Sequence, residues 1–215
     1  MVWTDRTMVG VTVGVILVAI INFFVPEWIR QIGLLSMAMG SVALGLLVLW
    51  RTGLISFGHA LYYGFSAYGV ALLNYLGLRD AFLLVIISAT MSGLLAWGLG
   101  FLVRRYRAIF FALLTMAFSM ILYGVLAKTE RFGSTDGLNI RPPTFFGYAP
   151  QDEAAQICLF LFGLVIVYFL MLGVQFYLRS ILGQMTMAVR ENEIRVEYLG
   201  YSVERVVHIK YVISG

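Results

Sequence analysis

The sequence predicts an all-α polytopic membrane protein, read as a single transmembrane domain over residues 1–215. Three observations predict it. Hydrophobic residues make up 61% of the chain and charged residues only 12%, against roughly 45–50% apolar content in a soluble domain. The apolar residues gather in runs of helical length, not in the two-residue alternation of a barrel strand. The charges fall in short clusters between those runs, as they do where topology sets them. A bilayer core of about 30 Å takes roughly 20 apolar residues per helix, so a chain of this length holds about six to eight.

Taken in order, the first run covers residues 8–25, follows Arg6 and stops at Pro26. It has no small-residue cleavage site and reads as an anchor helix. The second, 33–50, ends at Arg51. The third, 54–76, is interrupted by Gly58, Gly64, Gly69, Ser56, His59, Ser66 and Asn74, so a broken or re-entrant helix competes with a full crossing. Runs 81–103 and 108–127 flank the Arg104–Arg107 cluster, and 156–177 leads into a polar stretch over 178–205. Another run starts at 206 and reaches Gly215, so the sequence predicts a six-or-more-helix bundle truncated at its C-terminus.

Alternating spans put Arg6, Arg51, Arg104, Arg105, Arg107, Arg179, Arg190, Arg195, Arg205 and Lys210 on one side, ten of the fifteen Lys and Arg residues. Arg30, Arg79, Lys128, Arg131 and Arg141 fall on the other. The excess places 178–205 in the cytoplasm and 128–155 outside. If 54–76 does not cross, the segments before it swap sides. Gly10 with Gly14, Ser36 with Gly40 and Ala89 with Gly93 stand at the small-xxx-small spacing that lets helices approach closely. Cys158 lies alone in an apolar run and reads as an inert thiol. The net charge of +4 comes from the flanking clusters, which argues for a lipid bilayer and against nucleic acid.

The motifs exclude more than they assign. No GxxxxGK[ST] loop occurs, and the lysines Lys128 and Lys210 follow Ala127 and Ile209, so any ATP is hydrolysed on another polypeptide. Every Asp and Glu falls in a connection, which disfavours ion coupling. His59 and His208 belong to no HExxH or other metal-ligand spacing, and no GxSxG elbow is present; an enzyme is disfavoured. The polar candidates at membrane depth are His59, Asn22 and Asn74. Ser56, His59, Tyr63 and Ser66 share a glycine-rich stretch that suits a translocation path; packing at a helix interface is the competing reading. In 131–143, Gly133, Asp136, Gly137, Pro142 and Pro143 are turn chemistry, fit for a surface loop or for meeting a soluble solute-binding protein.

The polar stretch 178–205 carries the most information. Arg179, Arg190, Arg195 and Arg205 balance Glu191, Glu193, Glu197 and Glu204, so it suits a protein partner better than a polyanion or anionic lipid. Met185, Val189, Val196 and Leu199 recur at helical spacing, and Glu191 precedes Arg195 by four. These predict one amphipathic helix over 188–199, ended by Gly200 at C′, with Ser202 capping the next helix and Glu204 at its positive end.

RENEIRVEYLGYSVERVVHIKYVISG resembles the cytoplasmic EAA-type loop of ATP-binding-cassette importer permeases, in the form found in branched-chain amino acid (LivM-type) permeases. GLISFGHALYYGFSAYGVALL and FFALLTMAFSMILYGVLAKTERFGSTDGL resemble two earlier segments of that family, in the expected order. The sequence departs from the family pattern at Arg195 and Val196. The resemblance implies a permease subunit without its own cofactor, in a bacterial or archaeal inner membrane, for branched-chain or related amino acids. ATP would be bound by cytoplasmic ATPase subunits, and a second permease and a periplasmic solute-binding protein would complete the importer. It implies that residues 188–200 couple to the ATPase, with Arg190, Glu191, Asn192, Glu197 and Gly200 at the interface. Urea or short amides are alternative solutes, and an ion-coupled carrier or a structural subunit of a membrane complex are alternative classes.

Overall fold

A computed structural model describes residues 3–129 and 137–215, with side chains from residue 8 onward apart from that of residue 152. Among the described residues lie nine helices: α1 (Trp3–Ile21), α2 (Glu27–Trp50), α3 (His59–Tyr75), α4 (Ala81–Val103), α5 (Ala108–Lys128), α6 (Asp152–Arg179), α7 (Ile181–Glu191), α8 (Glu193–Tyr198) and α9 (Val203–Ser214). Two isolated β-bridges accompany them. Four of the helices, α2, α4, α5 and α6, are long and apolar enough to cross a bilayer, and α1 supplies a shorter apolar helix over Met8–Ile21. The chain is a multi-pass helical membrane protein.

The third apolar run folds differently from its neighbours. Its helix has 17 residues and begins only at His59, after a non-helical stretch from Leu54 to Gly58. At 1.5 Å per residue such a helix is about 25 Å long, short of a bilayer core of about 30 Å.

Two compact units are present, residues 1–44 with 149–180 and residues 45–148 with 181–215. In the first, α1 packs on α6, and the Thr12 and Tyr168 hydroxyls meet at 3.1 Å. Arg30, expected in a connection, lies inside α2 and is buried. Its Nη2 donates to Glu153 Oε1 at 2.8 Å and its Nε to the Asn22 carbonyl at 3.3 Å, so it ties the turn after α1 to the start of α6. Asn22, expected at membrane depth, sits in that turn. Gly33 gives Phe160 its seat: a Cβ there would come within 2.7 Å of the ring.

In the second unit α4 is the central strut, packed against α3 and α9. Asp80 caps it by accepting from the Phe82 and Leu83 amides at 3.0 and 3.2 Å. The core runs from Leu61, Tyr62, Ala96 and Val103 to Val189, Val196, Val207 and Tyr211, so α7, α8 and α9 share one apolar interior with the long helices. His208 is buried against α4, where its ring lies 4.4 Å from that of Phe101 and a Cβ on Gly100 would approach it to 2.9 Å.

At the start of α4 a loop is latched in place. Asn74, expected as a polar group at membrane depth, exchanges two hydrogen bonds with the Arg141 backbone, at 3.1 and 2.9 Å. Asp80 Oδ2 accepts from the Phe146 amide at 2.8 Å, and the Phe82 and Phe146 rings lie 4.3 Å apart. Gly137, Pro142 and Pro143 belong to this loop, whereas Gly133 and Asp136 lie outside the described residues. Asn74→Ala removes both side-chain bonds, at a cost of about 1–2 kcal/mol. The expected result is faster hydrogen exchange at the Arg141 and Thr144 amides, with α4 itself still protected.

The small-residue pairs pack otherwise than expected. A Cβ added at Gly10, Gly14, Gly40 or Gly93 would meet nothing within 4 Å. The close approaches fall instead at Gly33, Gly45, Gly58 and Gly100. Spacing along one helix says which residues share a face, but not which face meets a neighbour.

Candidate functional site

The first candidate region and the second from Ile181 onward belong to the second unit. The first is the start of α3. Ser56 is buried, and its Oγ accepts from the Gly58 amide at 3.1 Å, which folds the non-helical stretch into a tight turn. The Phe57 amide donates to Thr115 Oγ1 at 3.3 Å, and a Cβ on Gly58 would come within 2.9 Å of Thr115 Cβ. The turn therefore lies directly on α5, and only glycine fits there.

His59 follows as the first residue of α3 and is buried. A Cβ on Gly45 would fall 3.3 Å from its ring and would collide with the Ser214 carbonyl. That carbonyl faces the imidazole, yet neither ring nitrogen closes a hydrogen bond of ordinary geometry. Tyr62, one turn on, stands edge-on to His59 at 6.3 Å and to Tyr211 at 5.9 Å. The result is a buried cluster of His59, Tyr62, Tyr211 and Ser214 with polar capacity to spare.

The other two predicted path residues stand apart from it. Tyr63 is on an exposed face, and Ser66 Oγ lies 2.6 Å from Ser92 Oγ, a bridge between α3 and α4. Tyr62, not named among the path residues, is the tyrosine that packs against His59. Helical phase alone does not select it, since residues three and four positions on both lie near the face of His59.

The second region is 178–205, where one helix was expected over 188–199. Two are found, because Asn192 adopts an extended backbone and caps α8 by accepting from the Arg195 amide at 3.0 Å. This break puts Glu191 and Arg195 on different helices. Gly200 does end the second helix: at φ 86 it takes the left-handed position, its amide donates to the Glu197 carbonyl at 2.9 Å and that of Tyr201 to Val196 at 3.3 Å. Ser202 caps α9 as expected.

Arg190, Glu191, Asn192, Glu197 and Gly200 are all exposed. Asn192 and Gly200 shape the backbone, while the Arg190 side chain lies against Gly53, where a Cβ would be 3.3 Å from its Cγ. The sequence reading missed Ile194 and Tyr198 beside them, and it set Leu199 on one apolar stripe with Val189 and Val196. Val196 faces inward, and this turns Ile194, Tyr198 and Leu199 outward, the last two 87% and 73% exposed. Ile194 and Tyr198 are four residues apart, on one face of α8.

Lys210 was expected to flank a span. It lies instead within α9 at 0% exposure, with its Nζ donating to the Val48 carbonyl at 3.2 Å.

Over residues 28–215 the chain matches the family described as "Branched-chain amino acid transport system / permease component". It is 30% identical over 218 residues to the high-affinity branched-chain amino acid transport system permease protein LivM of Escherichia coli (strain K12), an alignment covering 90% of this chain and 51% of the relative. The protein of the same name from Salmonella typhimurium (strain LT2) is 30% identical over 215 residues, covering 86% of this chain and 49% of the relative. The chain thus spans about half the length of the curated relatives it matches. No solved structure matches it. With residues 28–215 matched, a range that holds α3 to α9 and all but the first residue of α2, the chain belongs to the permease family of branched-chain amino acid transport systems.

Proposed function

We propose that the chain is a permease subunit of an ATP-driven importer in a bacterial or archaeal inner membrane, moving branched-chain amino acids. It would pair with a second permease, take energy from cytoplasmic ATPase subunits and receive solute from a periplasmic binding protein. The observation that carries this reading is the element α7–α8: two short helices, seated by Val189 and Val196, that hold Ile194, Tyr198 and Leu199 out for a partner. An apolar knob with a charge-balanced rim suits a groove on a soluble protein.

In this reading the ATPase moves α8, the long helices tilt, and the path opens to one side at a time. The start of α3 is the proposed lining. His59 and Tyr62 offer hydrogen-bonding groups there without fixed charge, which either end of a zwitterionic solute can use.

Purification of the full-length protein from its own membranes tests the class: an ATPase subunit co-purifies, and uptake into vesicles stops without ATP. Persistence of uptake in ATP-depleted vesicles sinks the reading. His59→Ala is expected to leave insertion intact and lower the uptake rate roughly tenfold, equivalent to about 1.4 kcal/mol. A variant with unchanged solute affinity and rate makes His59 a packing residue.

A further inference from the structure

The Arg104–Arg107 turn between α4 and α5 reads by sequence as a topology signal, and the structure gives it a second use. Arg107 Nε donates to Glu193 Oε1 at 2.7 Å, and Arg104 Nε lies 3.3 Å from Glu204 Oε2. Glu193 is the first residue of α8 and Glu204 lies in the first turn of α9. The two ion pairs therefore bracket α8 together with its Gly200 turn.

Each arginine is also fixed from behind. Arg107 Nη1 donates to the Arg104 and Tyr106 carbonyls, and the Arg104 guanidinium stands 5.0 Å over the Phe101 ring. Ala108, directly after the cluster, holds a left-handed backbone at φ 49, which a non-glycine residue keeps only where its surroundings impose it. A topology signal needs none of this, since it acts through positive charge alone and glutamates contribute little to it.

We propose that Arg104 and Arg107 are positioning residues that clamp both flanks of α8 to the end of α4, so that a displacement of α8 passes to the helix on which α3 and α9 are packed. The clamp rests on the reading of α8 as the ATPase-docking element. It makes the turn a joint in force transmission.

The test uses the full-length importer with its ATPase and binding protein in proteoliposomes, comparing wild type with Glu193→Gln/Glu204→Gln. These substitutions leave every arginine in place, so topology is unaffected. Glu204 also lies 3.9 Å from Arg105, so the change removes three ion pairs. The ATPase should co-purify and hydrolysis stay within about twofold, while solute imported per ATP falls about threefold to fivefold, the range of a few partly exposed ion pairs. Wild type should move toward the variant as salt is raised, because screening weakens the same pairs. An unchanged transport-to-hydrolysis ratio overturns the clamp. Should the double variant fail to assemble, Glu193→Gln alone decides in the same way. Failure of the parent reading looks different: no ATPase co-purifies with wild type, or changes at Tyr198 and Leu199 leave coupling intact.

Discussion

Tyr198→Ser/Leu199→Ser is expected to abolish ATP-driven uptake while leaving the permease folded and inserted. Both side chains are exposed, so their loss costs the fold little. The core contacts that hold the segment come from Val196 on the inward face of α8 and from Val189 on α7. Apolar anchors at the centre of an interface cost about 2 kcal/mol or more on truncation, which weakens the complex at least roughly 30-fold. The measurement is ATPase co-purification alongside vesicle uptake, with thermal unfolding of the permease as the control. Full uptake by this variant would move the docking surface off these apolar side chains, most directly to the charged rim of Arg190, Glu191 and Glu197.

Gly45→Ala should be among the most damaging single-methyl changes in the chain. The added Cβ would collide with the Ser214 carbonyl and sit 3.3 Å from the His59 ring. Backbone on backbone leaves no flexible side-chain end to give way, so the end of α9 or of α2 must shift, at a cost of about 2–3 kcal/mol. Gly40→Ala and Gly93→Ala meet open space and are expected to be neutral or stabilising by up to about 1 kcal/mol, through helix propensity alone. Thermal midpoints in detergent compare the three. Equal midpoints would mean that α2 and α9 do not approach at Gly45.

What could be read from the sequence follows from where each signal resides. The bounds of α4 were legible to the residue, because an apolar run is closed by a capping aspartate at one end and an arginine cluster at the other. The cap of α9 at Ser202 and the stop at Gly200 were legible for the same local reason. The break at Asn192 was not, since Val189 and Val196 keep helical spacing across it and an asparagine among charges looks like any surface position. The partners of Asn74 and Lys210, Arg141 and Val48, were not legible because they lie 67 and 162 residues away. The same distance in sequence hid the pairing of Arg107 with Glu193 and left Tyr62 indistinguishable from Tyr63.

The lysine buried in α9 also fastens two distant parts of the sequence to each other. Its amino group finds its acceptor, the Val48 carbonyl, in the last turn of α2. Without that turn beside it, the buried side chain would leave a polar donor unsatisfied, which the interior resists. The seat of α9 is thus complete only with the end of α2 in place, and Lys210 makes the one depend on the other.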